Sequence, residues 1–300
     1  MKTTALHAWA LLAALAVSGC NFFARDSRQV LVELNVPYTT ESWLAQAAAG
    51  DTVAVKAFLT AGMDPNGRDA EGHTALMNAA AGGHAEVVRM LLGKGAQVNV
   101  TNLRGMTPLA AAIFNDHRDV VALLLDGGAE LTAPTLDRHP LVLATRAHRP
   151  QAAKLLLDKG APAYAQDHQW SVLMLAAFLG EADIVDALLS KDSNLNNAND
   201  EGVTALMYAA SAGHTAVVRA LLAMGAAIDA ADLGGLTAIM LAANNGHADT
   251  TRALLEAGTN AGVRSRTGAT ARSMATANGH TEIAALLPDP RAPAATRTKP

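Results

Sequence analysis

The sequence predicts an all-α solenoid built from about eight helix-turn-helix units with short finger loops. Three observations support this fold class. Short motifs recur at a constant interval of about 33 residues, and apolar residues follow helical spacing between them. The apolar half of the chain is also poor in large rings, with three Trp, three Tyr and five Phe among 300 residues. A core of Ala, Leu and Val suits closely stacked helices better than a sandwich or a barrel.

The period is clearest in its glycines. The pairs Gly213-His214, Gly246-His247 and Gly279-His280 follow one another at one constant spacing. Other glycines keep the same interval, in the series Gly62, Gly95, Gly128 and in the pair Gly225, Gly258. A fixed interval repeated this often indicates a stack of similar structural units.

The segment 1–19 has the build of an export signal, with a positively charged start and an apolar run over 8–17. The sequence Val17-Ser18-Gly19-Cys20 resembles the lipobox of bacterial lipoproteins, in which the cysteine is lipidated and becomes the new N-terminus. Cys20 is the only cysteine in the chain, and Asn21 after it favours the outer membrane over the inner one by the same resemblance. Ordinary cleavage after Ala14-Leu15-Ala16, which would release a soluble periplasmic protein, is the alternative.

The mature chain is then expected to begin with a lipidated N-terminus and tether over residues 20–40. Within it, Val30-Leu31-Val32-Glu33-Leu34 is predicted to form either a short strand or an extended tether. Covalent lipid on Cys20 is the only non-protein group expected, and it would attach the chain to a bacterial membrane with its repeats facing the periplasm.

Each following unit reads as Asp/Asn-x-x-Gly-x-Thr-x-Leu, an Ala-Ala pair, Gly-His, Val-Val-x-x-Leu-Leu and Gly-Ala. The threonine hydroxyls are predicted to cap a first helix, and the paired alanines to let the next unit approach closely. The second helix follows Gly-His and ends at a glycine suited to a left-handed conformation. The capping threonines are Thr74, Thr107, Thr204 and Thr237, and the terminating glycines are Gly95, Gly128, Gly160, Gly225 and Gly258.

This pattern resembles the ankyrin repeat, and Thr107-Pro108-Leu109 preserves one of its motifs intact. The resemblance covers residues 41–287, and the first unit begins at its first helix with Trp43 in the consensus leucine position. The fourth unit reads Asp137-Arg138-His139-Pro140 without the finger glycine, and the fifth has Asp192 in place of its terminating glycine. The predicted repeats are 41–66, 69–101, 102–133, 134–166, 167–198, 199–231, 232–264 and 265–287, followed by a disordered tail over 288–300.

Composition and motifs argue against several other functions. A net charge of −4 with mixed signs lacks the basic stripe of a nucleic-acid binder. No apolar run reaches the length of about 18 residues that an ordinary membrane span needs. We find no phosphate-binding loop, metalloprotease motif or nucleophile elbow, so no catalytic residue, enzyme activity or small-molecule substrate is expected.

Metal binding is not expected either. The Gly-His histidines belong to different units, too far apart to share a metal, and are expected to bond to the neighbouring loop. A methionine in four first helices fits gap filling better than copper binding. These residues are Met77, Met174, Met207 and Met240.

What remains is a curved stack whose concave face binds another protein. The resemblance implies contacts from finger tips and from the exposed ends of first helices. The candidate partner-binding residues on adjacent units are Met106, Phe114, His139, Arg146, Trp170, Phe178 and Leu179. Large rings and arginine are enriched at binding hot spots, although Phe114 and Phe178 could equally cover grooves between helices. A structural spacer without a single partner is the first alternative function, and a periplasmic metal-handling protein or enzyme the second.

Overall fold

The computed structural model describes residues 27–132, 139–167, 169–191 and 193–288, and consists of paired antiparallel helices joined by short loops. The predicted signal peptide with Cys20, residues 289–300 of the predicted tail and Asp192 lie outside these residues. One short hairpin accompanies the helices, in which β1 (Gln166–Asp167) pairs antiparallel with β2 (Trp170–Ser171). None of the described helices is both long and apolar enough to cross a lipid bilayer.

Seventeen helices are present in the described ranges. They are α1 Ser27–Glu33, α2 Thr40–Ala49, α3 Thr52–Thr60, α4 Ala75–Ala81, α5 Ala85–Gly93, α6 Pro108–Phe114, α7 Arg118–Asp126, α8 Pro140–Arg146, α9 Pro150–Asp158, α10 Val172–Leu179, α11 Ala182–Leu189, α12 Ala205–Ala212, α13 Thr215–Ala223, α14 Ala238–Asn244, α15 Ala248–Glu256, α16 Ala271–Ala277 and α17 Thr281–Leu286. Even-numbered helices are the first helices of repeats one to eight, and odd-numbered helices from α3 onward are the second helices.

The helices stack in two layers, because each first helix contacts the next first helix and each second helix contacts the next second helix. The predicted alanine pairs lie at the inter-repeat contacts, and Ala79, Ala80, Ala209 and Ala210 are all fully buried. Small side chains let neighbouring first helices approach closely, so one continuous apolar core runs the length of the stack. The helical solenoid predicted from the sequence is confirmed.

The N-terminal end of the stack is closed by α1. The strand or extended tether predicted for residues 30–34 is wrong, because this segment is helical and packs against α3 with Leu31 buried. The first repeat has no preceding repeat to cover its apolar side, and a short amphipathic helix supplies that cover. Beside it, the Tyr38 ring stacks on Phe58 at 5.5 Å, and Trp43 contacts the same ring at 5.6 Å.

The threonine caps are confirmed in three of the four predicted positions. The hydroxyls of Thr74, Thr107 and Thr204 each accept a hydrogen bond from the backbone N–H group three residues later in the chain. The cap predicted for Thr237 is wrong, since its hydroxyl is buried and has no hydrogen-bond partner in the part of the chain that the structure describes. The terminating glycines behave as predicted, with φ between +83° and +92° at Gly95, Gly128, Gly160, Gly225 and Gly258.

The Gly-His histidines and His117, which follows Asp116, form a ladder of hydrogen bonds between repeats. In each, Nε2 donates to a backbone carbonyl at the end of the preceding first helix, because a carbonyl oxygen can only accept. His84 bonds to Ala48 at 2.8 Å, and His117 bonds to Ala81 at 2.9 Å. The series continues at 2.9–3.1 Å in His214, His247 and His280. Each histidine does bond across to the neighbouring unit, but the expected loop acceptor is wrong, because the acceptor is a carbonyl in the last turn of the first helix.

Each ladder histidine also covers a left-handed glycine of the repeat before it. Gly83 has φ +74°, and a Cβ built on it would lie 2.5 Å from Nδ1 of His117. Gly180 and His214 form an equivalent pair at 2.6 Å. The ring therefore occupies the space that any other side chain at the glycine would need.

Repeat four replaces this arrangement with charged pairs. Where other repeats have glycine, repeats three and four have Asp116 (φ +61°) and His148 (φ +56°). The ladder positions that would cover them hold Arg149, which approaches Asp116 to 3.9 Å, and Glu181, which pairs with His148. Arg149 still donates to the backbone carbonyl of Phe114 at 3.0 Å, so the ladder bond persists there. A residue other than glycine fits at these two positions because no imidazole ring from the next repeat lies over them.

The second-helix side of the same junctions is also charged. Lys159 pairs with Asp126 of repeat three at 2.6 Å, and Lys191 pairs with Asp158 of repeat four at 3.2 Å. Repeat four is thus joined to both neighbours by ion pairs, in addition to its apolar core.

Candidate functional site

The finger of repeat five is the hairpin β1–β2, and it places Trp170 beside a charged pair. Asp167 lies opposite Trp170 in the strand register. The Asp167 carboxylate is almost fully buried and accepts hydrogen bonds from the Arg146 guanidinium, which reaches across from the end of α8. Arg146, one of the residues predicted to contact a partner, thus pairs with the adjacent repeat, while 46% of its side chain remains exposed.

Three rings meet beside this pair, and we call Trp170, Phe178 and Tyr208 the aromatic group. The Trp170 ring lies 4.2 Å from Tyr208 of the next repeat and 5.3 Å from Phe178 in an edge-to-face arrangement. Trp170 is half-buried and packs against the core through these contacts. Phe178 remains 44% exposed, so the group presents a ring to solvent.

Sequence analysis did not identify Tyr208 as a site residue, because Tyr208 occupies the middle of a first helix rather than a family contact position. Its hydroxyl accepts a hydrogen bond from the Asn199 side-chain amide at 3.1 Å. Burial, together with the negative charge of Glu201, raises the pKa of Tyr208 above its ordinary value of 10.0. The phenol is therefore neutral at physiological pH and completes an apolar surface with a polar edge.

The remaining candidates are not joined to the aromatic group by any ring contact among the described residues. Phe114 is 37% exposed at the end of α6, two repeats before Phe178. Met106 and Leu179 are half-buried and pack against the core.

His139 was assigned to a finger, which is wrong. It is the N-cap residue of α8, and among the described residues its side chain makes no capping bond and its buried Nδ1 has no hydrogen-bond partner. Because the finger of this repeat is one residue short, the cap position falls earlier than the period of about 33 residues places it.

The four first-helix methionines lie in the core. Met77, Met174, Met207 and Met240 are each no more than 3% exposed. Their thioethers lie between stacked helices, as expected of gap-filling side chains.

The finger of repeat two brings together Asp69, Glu71 and His73, whose ligand atoms lie within 4.8 Å of one another. Asp69 accepts hydrogen bonds from the His73 ring at 2.9 Å and from the backbone N–H groups of Glu71 and His73. Partial burial raises the pKa of the Asp69 carboxyl, but these hydrogen bonds outweigh it and lower that pKa below its ordinary value. The same aspartate-to-backbone bonds shape the finger of repeat seven through Asp232, so their role here is to hold the loop.

Comparison with known proteins agrees with this architecture. A family model described as ankyrin repeats matches residues 43–135, 141–232 and 228–294. The crystal structure of the human ASB11 ankyrin repeat domain superposes with a TM-score of 0.65 at 24% identity, covering 73% of this chain and 100% of that chain. No curated protein matches the sequence.

Proposed function

The chain belongs to the ankyrin-repeat family, whose repeats are interaction modules, and from that premise we propose that it binds another protein through the concave, finger-bearing face of repeats three to five. The observation that carries this proposal is the aromatic group, which extends the face to Tyr208 of repeat six. It places an exposed phenylalanine ring on a preorganised support beside the Arg146–Asp167 pair.

The geometry suits a binding hot spot. Hot spots are enriched in Trp, Tyr and Arg, and a rigid, well-packed anchor loses little conformational freedom on binding. Trp170 is held by Tyr208 and Phe178, so its exposed edge is fixed before a partner arrives. The same face extends toward repeat three through Met106 and the 37% exposed Phe114, and Leu179 follows Phe178 on repeat five.

The test begins with a crosslinking pull-down from the envelope fraction, followed by affinity measurements on the partner that is recovered. Trp170→Ala should weaken binding about thirtyfold or more, since truncating a central aromatic hot spot costs at least ~2 kcal/mol. Phe178→Ala is the cleaner variant, because its ring is the more exposed. Leu236→Ala, two repeats away on a finger, is the matched control and should change affinity little. Parent affinity in both aromatic variants would place recognition elsewhere.

The alternatives predict other outcomes. A lipid-tethered spacer would recover no partner that depends on the aromatic group. A metal-handling protein or an enzyme would carry a stoichiometric metal or turn over a substrate, and metal analysis of purified protein separates the first case. We propose that the chain has no catalytic activity and no cofactor besides lipid, because ankyrin repeats generally act as interaction modules and the sequence carries none of the catalytic motifs sought.

We further propose that the chain is a bacterial lipoprotein held at the outer membrane, with its repeats in the periplasm. The sequence Val17-Ser18-Gly19-Cys20 followed by Asn21 supports this proposal. Cys20→Ser should abolish labelling by a palmitate analogue and leave the precursor uncleaved at this position. If the variant still matures and fractionates with membranes as the parent does, the anchor assignment is wrong.

A further inference from the structure

Acidic residues outnumber basic ones around the aromatic group. The fingers and first helices of repeats five and six, residues 166–181 and 199–214, contain four Asp or Glu residues and no Lys or Arg. Two of these carboxylates have internal partners, because Asp167 pairs with Arg146 and Glu181 with His148.

The other two carboxylates, Asp200 and Glu201, are exposed at the finger tip of repeat six. Neither forms an ion pair with any residue that the structure describes. The equivalent segment of repeat eight, residues 265–280, carries two arginines and no acid, whereas that of repeat two, residues 69–84, carries two acids and no Lys or Arg. Repeats five and six are distinguished by the rings that lie beside their exposed carboxylates.

This finger tip adjoins the rings. The amide of Gln169, next to Trp170 in sequence, donates to Asp200 at 2.9 Å. Asn199 bonds to the Tyr208 hydroxyl, and the charge of Glu201 acts on the same phenol. The carboxylates therefore lie at the rim of the aromatic group, where a ligand covering the rings would also meet them.

We infer that the partner presents a basic segment, in which a Lys or Arg side chain stands next to a large apolar one. This inference rests on the proposed function and specifies the chemistry of its partner. The apolar side chain covers Phe178, and the cation pairs with Asp200 and Glu201 while lying close to the faces of Trp170 and Tyr208. An acidic segment would meet uncompensated like charge at the rim of the same surface.

The test is selection of a displayed random dodecapeptide library on the immobilised full chain. We expect the enriched peptides to be basic, with Lys or Arg close in sequence to a large apolar side chain. Binding of one such synthetic peptide should fall with added salt, and should fall roughly three- to tenfold at low salt in Asp200→Asn/Glu201→Gln. The control is Asp183→Asn/Asp186→Asn, which removes the same charge from exposed positions on α11 of repeat five and should leave affinity unchanged.

The outcomes separate the two proposals. Enrichment of acidic or uncharged peptides that still require Phe178 would overturn the basic partner and leave the concave-face site standing. Peptides bound equally by the parent, Trp170→Ala and Phe178→Ala would overturn both. Equal losses in the two charge variants, or no enrichment over the bare support, would also overturn the basic partner.

Discussion

Gly83 offers a direct test of how the repeats are locked together. An alanine there must adopt a φ near +74°, and its Cβ would lie 2.5 Å from Nδ1 and 2.7 Å from Cε1 of His117. Atoms do not approach so closely, so the ring must move. His117 is held by its bond to the Ala81 carbonyl at 2.9 Å, and that bond is lost when the ring is displaced.

Two terms give the size of the effect. A side chain in the left-handed conformation costs about 1–2 kcal/mol relative to glycine. Losing the histidine hydrogen bond adds about 1 kcal/mol. Gly83→Ala should therefore lower the free energy of unfolding by about 2–3 kcal/mol, which is large for a single added methyl group.

The assay is urea unfolding followed by circular dichroism, with two matched variants. Gly95→Ala has a similar φ of +83° with no atom within 4 Å of the added Cβ, so it should lose only the conformational term. Gly83→Ala in a His117→Ala background should likewise cost only that term, because the ring is gone. Equal losses for Gly83→Ala and Gly95→Ala would refute the reasoning, as would an unchanged cost of Gly83→Ala once His117 is removed.

Three further predictions concern single side chains. Arg146→Ala leaves the buried Asp167 carboxylate without its guanidinium and should lower the free energy of unfolding by about 2 kcal/mol in urea titrations; a loss confined to partner binding would contradict the pairing. Thr237→Val should leave the melting temperature unchanged or raise it, since the hydroxyl is buried and has no partner among the described residues. Thr204→Val should lower the free energy of unfolding by about 1 kcal/mol, because it removes a helix cap. Equal losses in the two variants would show that both hydroxyls cap. The raised pKa of Tyr208 contributes stability that is complete below pH 10.0 and is lost as the pH rises through the folded-state pKa. Tyr208→Phe should therefore reduce the loss of unfolding free energy at alkaline pH. An identical decline in the parent and the variant would contradict the shift.

The sequence was sufficient to predict the repeat architecture because the period, caps and alanine pairs are local signals. Each helix start and stop depends on a few neighbouring residues, and the constant interval fixes which of them coincide in space. The N-terminal helix α1 was not predictable in this way. Its helical form depends on the uncovered side of the first repeat, a tertiary condition that Val30-Leu31-Val32 does not encode by itself.

The candidate site was predicted only in part. Family contact positions indicated Trp170 and Phe178, which do lie together. They could not indicate that Tyr208 supports both rings from the next repeat, nor that Arg146 is paired with Asp167. Those contacts join residues of different repeats whose types are ordinary where they stand, so periodicity gives no signal for them.

The pairing of each left-handed glycine with the next ladder histidine restricts the order in which this chain could have changed. From a Gly-His junction, replacing the glycine first places a side chain against an imidazole ring. Replacing the histidine first costs one hydrogen bond and frees the glycine to vary. The Asp116–Arg149 and His148–Glu181 junctions are then most easily reached through intermediates that lost the histidine before the glycine. At a junction that keeps both residues, the histidine therefore controls which side chains the glycine position can accept.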